Sequence, residues 1–265
     1  MTKPGWLSNL FGRTNSAQGS QPRRRMSLTP APSTTYIIGD IHGCFQQLLE
    51  LESRIAADAL ALDSPKLIVT VGDYIDRGPA SAQVTDHLLA SPPPGFERIC
   101  LAGNHDEMML SFMDNPQANW NWLRYGGEET LRSYGIDTQS LLKLSDQRIK
   151  AIVAEAVPTE HRTFLASLPS LLTTPDYIVS HAGLRVGLAL EAQTDTDLMW
   201  LRDNYETDYS EFGRLVVHGH MPLDEPYVSP ARIGIDTRAF SSGKLSAVRL
   251  IPNQPPEFFS TDPQT

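Results

Sequence analysis

Three short blocks carry most of the chemistry-bearing side chains: Gly39-Asp40-Ile41-His42-Gly43, Gly72-Asp73-Tyr74-Ile75-Asp76-Arg77-Gly78 and Gly103-Asn104-His105-Asp106. Further histidines stand in Ser180-His181-Ala182-Gly183 and His218-Gly219-His220. Carboxylate and amide oxygens mixed with imidazole nitrogens suit Mn, Fe or Zn, whereas an all-oxygen Mg or Ca shell would need no histidine. Asp40 and His42 are two residues apart and point the same way on an extended segment. Asp73 has two oxygens and can bridge two ions, one shared with Asp40 and His42, the other with Asn104, His181 and His220. Two such ions ~3.5–4 Å apart polarise a phosphoryl group and hold a water between them as hydroxide.

A leaving-group acid is also available. His105 follows Asn104, so its ring can sit across the phosphorus from that hydroxide and, when protonated, donate to a departing alkoxide. Asp76 is placed to orient the ring and keep it charged. Arg77 can grip phosphate oxygens bidentately, which a lysine does less well. Arg202, in Leu198-Met199-Trp200-Leu201-Arg202-Asp203, supplies a second clamp. Of the pair His218 and His220, the second follows Gly219 and precedes Met221-Pro222, so His220 is read as the ligand and His218 as a strand or supporting residue. His87 and His161 fall on predicted helices away from the blocks and read as structural.

The elements that position these groups are legible from periodicity. Each block follows an apolar run, namely Tyr36-Ile37-Ile38, Leu67 to Val71 and Ile99-Cys100-Leu101, and each is followed by a helical pattern. Leu48, Leu49, Leu51, Ile55 and Ala59 give Phe45 to Ala61 a helical stripe, and Val84, Leu88 and Leu89 do the same after Pro79. Ser91-Pro92-Pro93-Pro94-Gly95 breaks the chain before the third strand. Strand–helix–strand crossovers of this kind require a parallel sheet, and ligands collect outside the carboxyl ends of its strands. From Glu107 to Leu168 the pattern is mostly helical, with Trp120, Trp122, Leu123 and Tyr125 as core or as a cap over the site. After Pro169 come short strands at 171–173, 177–179, 215–217, 233–235 and 245–251, two of them ending in histidines. Residues 1–33, rich in Ser, Thr, Pro, Gln and Asn, read as a disordered basic tail. The catalytic domain is expected over 34–252, and 253–265, with its prolines, reads as a C-terminal tail.

Composition narrows the class. The chain has 265 residues, a 40% apolar fraction and a net charge of −9. Its basic tail holds Lys3, Arg13, Arg23, Arg24 and Arg25 and no acid, so the remainder has 17 basic against 31 acidic residues, a charge of −14. An acidic body argues against a general nucleic-acid binder, though bound cations reverse such a field locally. No apolar run approaches the ~20 residues of a membrane span. Cys44 and Cys100 read as small core hydrophobes in a reduced, cytoplasmic compartment. The tail lacks the apolar region of a signal peptide. Arg24-Arg25-Met26-Ser27 reads as solvated linker rather than a kinase site.

The three blocks, with Ser180-His181-Ala182-Gly183 and Gly219-His220, resemble the signature of PPP-type phosphatases within the calcineurin-like metallophosphoesterases, in texture the compact bacterial and phage serine/threonine protein phosphatases. The resemblance spans residues 36 to about 237. It implies an α/β fold of two mixed β-sheets packed as a sandwich and flanked by helices, in a single domain, around a dinuclear Mn- or Fe-type centre. By position, Asp40, His42 and Asp73 would bind one metal and Asp73, Asn104, His181 and His220 the other. His105 with Asp76 would be the acid pair, and Arg77 would contact phosphate. The expected activity is hydrolysis of phosphoserine or phosphothreonine by direct attack of the bridging hydroxide, the partner being a phosphoprotein or a phosphorylated small molecule. The rival is a symmetrical diadenosine tetraphosphate hydrolase, which typically lacks the Asp-Arg found here as Asp76-Arg77. A catalytically dead scaffold would need a missing ligand, and none is missing. Arg202 is placed variably in the family, and Arg238 stands where a small residue is common, here read as crossing the surface.

Overall fold

The computed structural model describes residues 22–62 and 66–262. In chain order the first half holds β1 (Arg25–Ser27), β2 (Thr34–Ile38), α1 (Phe45–Asp58), β3 (Lys66–Thr70), α2 (Ser81–Leu89), β4 (Phe96–Cys100) and α3 (Asn104–Asp114). The middle is helical, with α4 (Gly127–Ser133), α5 (Asp146–Ala156) and α6 (Thr159–Ser167). Then come β5 (Leu171–Thr173), β6 (Tyr177–Ser180), α7 (Asp195–Trp200), β7 (Leu215–His218), β8 (Tyr227–Val228), β9 (Arg232–Gly234), α8 (Ala239–Ser242), β10 (Ser246–Leu250) and β11 (Glu257–Ser260).

The strands form two mixed sheets, a six-stranded one ordered β1-β5-β6-β7-β9-β8 and a five-stranded one ordered β11-β10-β2-β3-β4. Alternation along the strands explains how they stack. Ile37, Leu67, Val69 and Val248 of one sheet share a buried cluster with Leu172, Val179, Val217 and Ile233 of the other. On the far side of the five-stranded sheet, Tyr36, Ile38 and Ile68 pack against Leu48, Leu51 and Ile55 of α1 and Phe112 of α3. Period-2 side chains thus serve both faces of the central strands, as a sheet buried on both sides demands. Within each sheet three strands run parallel, β2-β3-β4 and β6-β7-β9. Every histidine- and aspartate-bearing block leaves the carboxyl end of one of those six strands. The single-domain sandwich expected from the sequence is the fold observed.

Both ends of the chain depart from the expected tails. Residues 22–33 include β1, which pairs in parallel with β5, Arg25 opposite Leu171 and Ser27 opposite Thr173. The Arg23 guanidinium, a tenth exposed, donates to Glu107 at 2.8 Å and to the carbonyls of Leu165 and Leu168 at 3.1 Å each. Arg25 donates to the carbonyls of Leu190 and Gln193. A strand of three residues is too short to show a period, and its arginines are engaged by backbone oxygens that sequence does not reveal. The reading of Arg24 to Ser27 as solvated linker is therefore corrected. At the other end β11 pairs antiparallel with β10; the prolines at 252, 255 and 256 sit in the connection, not in the strand. Residues 1–21, most of the expected basic tail, and 263–265 lie outside the described residues.

Arg23→Met is expected to lower the free energy of unfolding by about 1–3 kcal/mol, because two buried carbonyls and a carboxylate lose their donor. Urea denaturation reads this directly, and a wild-type midpoint in the variant would show that the N-terminal clamp contributes nothing.

Candidate metal centre

The site is built where the backbone is least relaxed. Among the described residues seven non-glycine positions have positive φ, and five of them are His42 (46°), Asp73 (53°), Asp76 (73°), Arg77 (67°) and His220 (62°). Each such position costs of order 1–3 kcal/mol and persists only when its surroundings over-determine it. The over-determination is visible around Asp73. Its carbonyl accepts the N–H groups of Ile41 and His42 at 3.2 and 2.8 Å. Its own N–H donates to Asp106 at 3.0 Å, and the same carboxylate accepts from Tyr74 (3.1 Å) and Gly103 (2.9 Å). Asp106 thereby pins the second block to the third. Gly103 has no room for a side chain, since a Cβ there would strike Asp73 Oδ1, and a Cβ on Gly219 would strike Asp40 Oδ1.

The two oxygens of Asp73 face opposite ways. Oδ2 lies 3.5 Å from His42 Nε2 and 3.9 Å from His105 Nε2. Oδ1 lies 3.5 Å from His181 Nε2. Two groups of donor atoms result, each within 4.8 Å of one another: His42, Asp73 and His105, and Asp73, His181 and His220. Backbone carbonyls fix the tautomers. His42 Nδ1 donates to Ile75 O at 2.8 Å and His181 Nδ1 to Val71 O at 3.2 Å, so each turns an Nε2 lone pair inward. His181 Nε2 then meets Asn104 Oδ1 at 2.9 Å and His220 Nδ1 at 3.2 Å. With the His181 Nδ1 proton spent on Val71, its Nε2 and Asn104 Oδ1 are two acceptors in contact, which a cation would reconcile. His220 Nε2 is buried with no hydrogen-bond partner among the described residues.

Electrostatics agree. Burial alone would raise the Asp73 carboxyl, but His181, His105, His42 and His220 more than reverse this and hold it well below the usual range. Burial lowers His42, His181 and His220. Neutral imidazoles around an ionised carboxylate are the protonation state that metal binding requires. The donors present therefore fit divalent ions. Asp40 is buried and accepts the His220 N–H on both oxygens at 3.2 and 3.1 Å. Burial, then the charges of Asp236 and Asp73, raise it.

His105 is bonded as an acid pair would be. Its Nδ1 donates to Asp76 Oδ2 at 2.6 Å. Burial works against the imidazolium, yet Asp73 and Asp76 overcome it and raise His105. Asp76 is fully buried and also accepts from Trp122 Nε1 and Thr130 Oγ1, both at 2.7 Å. Arg77 spans the site, its Nη1 2.8 Å from His42 Nε2 and its Nη2 3.0 Å from His105 Nε2. Arg202 is exposed, with its charge bearing on His220.

The structure thus gathers Asp40, His42, Asp73, Asp76, Arg77, Asn104, His105, His181 and His220 into one place and leaves Arg202 at its margin. His218 stays outside both donor groups: its Nδ1 donates to Gly219 O and its Nε2 accepts from Arg232 Nε, each at 2.8 Å. Burial and Arg232 push it down to about 3. His87 and His161 bridge helices through Glu52 and Asp86. Arg238 pairs with Asp224 at the surface. Sequence reasoning missed Asp236, raised to about 6 by burial beside the site, and missed the roles of Trp122, Thr130 and Asp106. Only Asp106 left a signal, an acid three residues after the glycine that opens a helix. Trp122 is buried, which removes it as a stacking platform.

Comparison with known proteins follows the same line. A family model described as "Calcineurin-like phosphoesterase" matches residues 33–243. A bis(5'-nucleosyl)-tetraphosphatase PrpE [asymmetrical] of Halalkalibacterium halodurans is 25% identical over 236 residues, 81% of this chain and 89% of the relative. A serine/threonine-protein phosphatase 2 of Salmonella typhimurium is 27% identical over 226 residues, 81% of this chain and 92% of the relative. A crystal structure described as a putative diadenosine tetraphosphatase superposes with a TM-score of 0.61 at 23% identity, covering 90% of this chain and 98% of the other.

Asp73→Asn is expected to abolish hydrolysis of p-nitrophenyl phosphate and to reduce bound manganese from about two ions per chain, read by metal analysis of the same preparation. Undiminished activity in that variant, or in metal-free protein, would exclude a shared-carboxylate centre.

Proposed function

Because the chain belongs to the calcineurin-like phosphoesterase family, we propose that it is a dinuclear-metal phosphomonoesterase whose substrate is phosphoserine or phosphothreonine in a protein. The observation that carries this reading is the buried His105–Asp76 pair. A serine or threonine alkoxide is a poor leaving group and needs a proton as the P–O bond breaks, whereas a nucleotide phosphate leaves well without one. When bound, two divalent ions, manganese first and iron or zinc on the same donors, supply the charge that polarises the phosphoryl group and activates the attacking water.

The chain's own residues do the rest. With His42 Nε2 committed to a metal, Arg77 would turn its donors from the two ring nitrogens to phosphate oxygens, which leaves His105 Nε2 to carry the proton. Asp76, held by Trp122, Thr130 and the His105 Nδ1–H, faces that ring and stabilises its charge. As water oxygen bonds to phosphorus and the ester P–O bond breaks, the Nε2 proton passes to the departing oxygen, giving the free alcohol and inorganic phosphate. Arg202, exposed and with its charge bearing on His220, would be a second clamp on the phosphate.

A second reading is unequal cleavage of dinucleoside tetraphosphates, favoured by the name of the Halalkalibacterium relative. That name says asymmetrical, whereas the rival weighed from sequence is symmetrical, so the presence of Asp76-Arg77 does not count against it. Relative rates on phosphopeptides and on diadenosine tetraphosphate separate the two readings.

His105→Asn is expected to lose about 10²–10⁴-fold on phosphoserine and much less on p-nitrophenyl phosphate, whose leaving group needs little protonation. Equal losses on both would remove His105 from the acid role.

A further inference from the structure

Beside Arg77 the surface opens into a cleft of about 670 Å³, lined among others by Arg124, Tyr125, Glu128, Glu129 and Phe240. One wall is the 3-10 helical stretch Trp120–Tyr125 with the start of α4, and the other is α8. The cleft adjoins the metal centre directly. Arg77 N–H donates to Gly126 O at 3.2 Å, its guanidinium carbon lies 4.8 Å from the centre of the Phe240 ring, and Phe240 meets His42 edge-on at 5.4 Å. A group seated in the cleft therefore lies next to whatever phosphoryl group Arg77 holds.

Its lining has a definite chemistry. Tyr125 is 43% and Phe240 38% exposed, large aromatic surfaces left out of the core. Phe240 already carries one guanidinium over its ring, that of Arg77, and Tyr125 offers a second face of the same kind. Glu129 leans on Arg132 at 3.7 Å. Glu128 is half-buried and engaged by no hydrogen bond or ion pair among the described residues. A carboxylate that has lost part of its hydration without gaining a partner favours an incoming cation, and aromatic faces attract a guanidinium or ammonium group. Of the two cations in the lining, Arg77 is engaged by the ring nitrogens of His42 and His105 and Arg124 stands exposed at the rim. Residues 22–265, which include the folded N-terminal strand, hold 20 basic against 31 acidic side chains, a charge of −11 that draws a basic partner at long range.

We propose that this cleft seats a lysine or arginine side chain close to the phosphorylated residue of a peptide substrate, with Glu128 as its counter-charge and Tyr125 and Phe240 as its aromatic walls. The proposal rests on the phosphoserine/phosphothreonine reading and makes the segment from Trp120 to Ser133 a specificity element. The buried side of that segment holds Asp76 through Trp122 and Thr130, while its exposed side meets the substrate's flanking residues.

The test uses manganese-loaded full-length protein and a set of phosphoserine peptides with one arginine moved through the three positions on either side of the phosphoserine, in an alanine background. At least one arginine position is expected to raise kcat/KM about tenfold over the all-alanine peptide. Glu128→Gln is expected to bring that ratio close to unity, and Glu128→Lys to turn the preference toward a glutamate-bearing peptide. Because the all-alanine peptide is measured on the same preparation, any loss of folded enzyme cancels from the ratio. Equal rates across the set, or a preference unchanged in Glu128→Gln, overturn the subsite while the phosphopeptide reading stands. Turnover of diadenosine tetraphosphate with none of the peptides hydrolysed overturns that reading and the subsite with it.

Discussion

The Asp73 carboxylate is the constraint on which the rest of the molecule depends. It is buried, ionised and set in a left-handed backbone conformation, and each of these is unfavourable taken alone. What sustains it is convergence. His105 N–H donates to its Oδ1 at 2.9 Å, Asp106 holds its backbone N–H, and its carbonyl holds the first block. One residue thus ties together the ends of β2, β3 and β4, and its side chain points two oxygens at two groups of imidazoles.

That arrangement explains why the fold needs two sheets. The three parallel strands of the five-stranded sheet bring Asp40, His42, Asp73 and the Asn104-His105 turn to one edge, but they leave two of the six candidate donors to come from elsewhere. His181 and His220 hang from the ends of β6 and β7 in the other sheet, and Asp236 follows β9. Only face-to-face packing of the sheets through Ile37, Val69, Val179 and Val217 puts both sets of strand ends at the same height. The His220 N–H on Asp40 is a direct bond across that seam. The strain at five site residues is therefore borne by a core tens of residues wide, which is where a protein can hold it.

How much of this is legible in sequence depends on the range of the interaction. The donors are legible because each sits within a glycine-flanked block whose preceding apolar run marks a strand end. The bridging role of Asp73 is legible because it is the acid shared by both halves of the donor inventory. Trp122 and Thr130 are not: they lie 46 and 54 residues from Asp76, on a stretch whose periodicity speaks only of burial. Arg232 is equally silent. It is a buried guanidinium set over the rings of Tyr205 (4.7 Å) and Tyr209 (4.5 Å), and its bond to His218 decides that this histidine supports the strand end instead of binding a metal. β1 and β11 fail for another reason. Short edge strands take their stability from pairing with neighbours already in place, so their own composition, Arg-Met-Ser in one case and a proline-rich approach in the other, reads as tail.

The acid side of the site obeys the same logic of shared atoms. Arg77 reaches the Nε2 atoms of His42, which faces Asp73, and of His105, which is bonded to Asp76. Its backbone, at φ 67°, is fixed by the Gly126 carbonyl. On the proposed reading, phosphate oxygens that draw Arg77 away from His105 Nε2 would free that lone pair for the proton that the alkoxide needs. A lysine ammonium could reach both imidazoles, but it lacks the planar fork that takes two phosphate oxygens at once. The second block thus carries as neighbours the carboxylate that bonds His105 Nδ1 and the guanidinium that reaches its Nε2, and on the proposed reading that adjacency would couple substrate binding to the state of the acid.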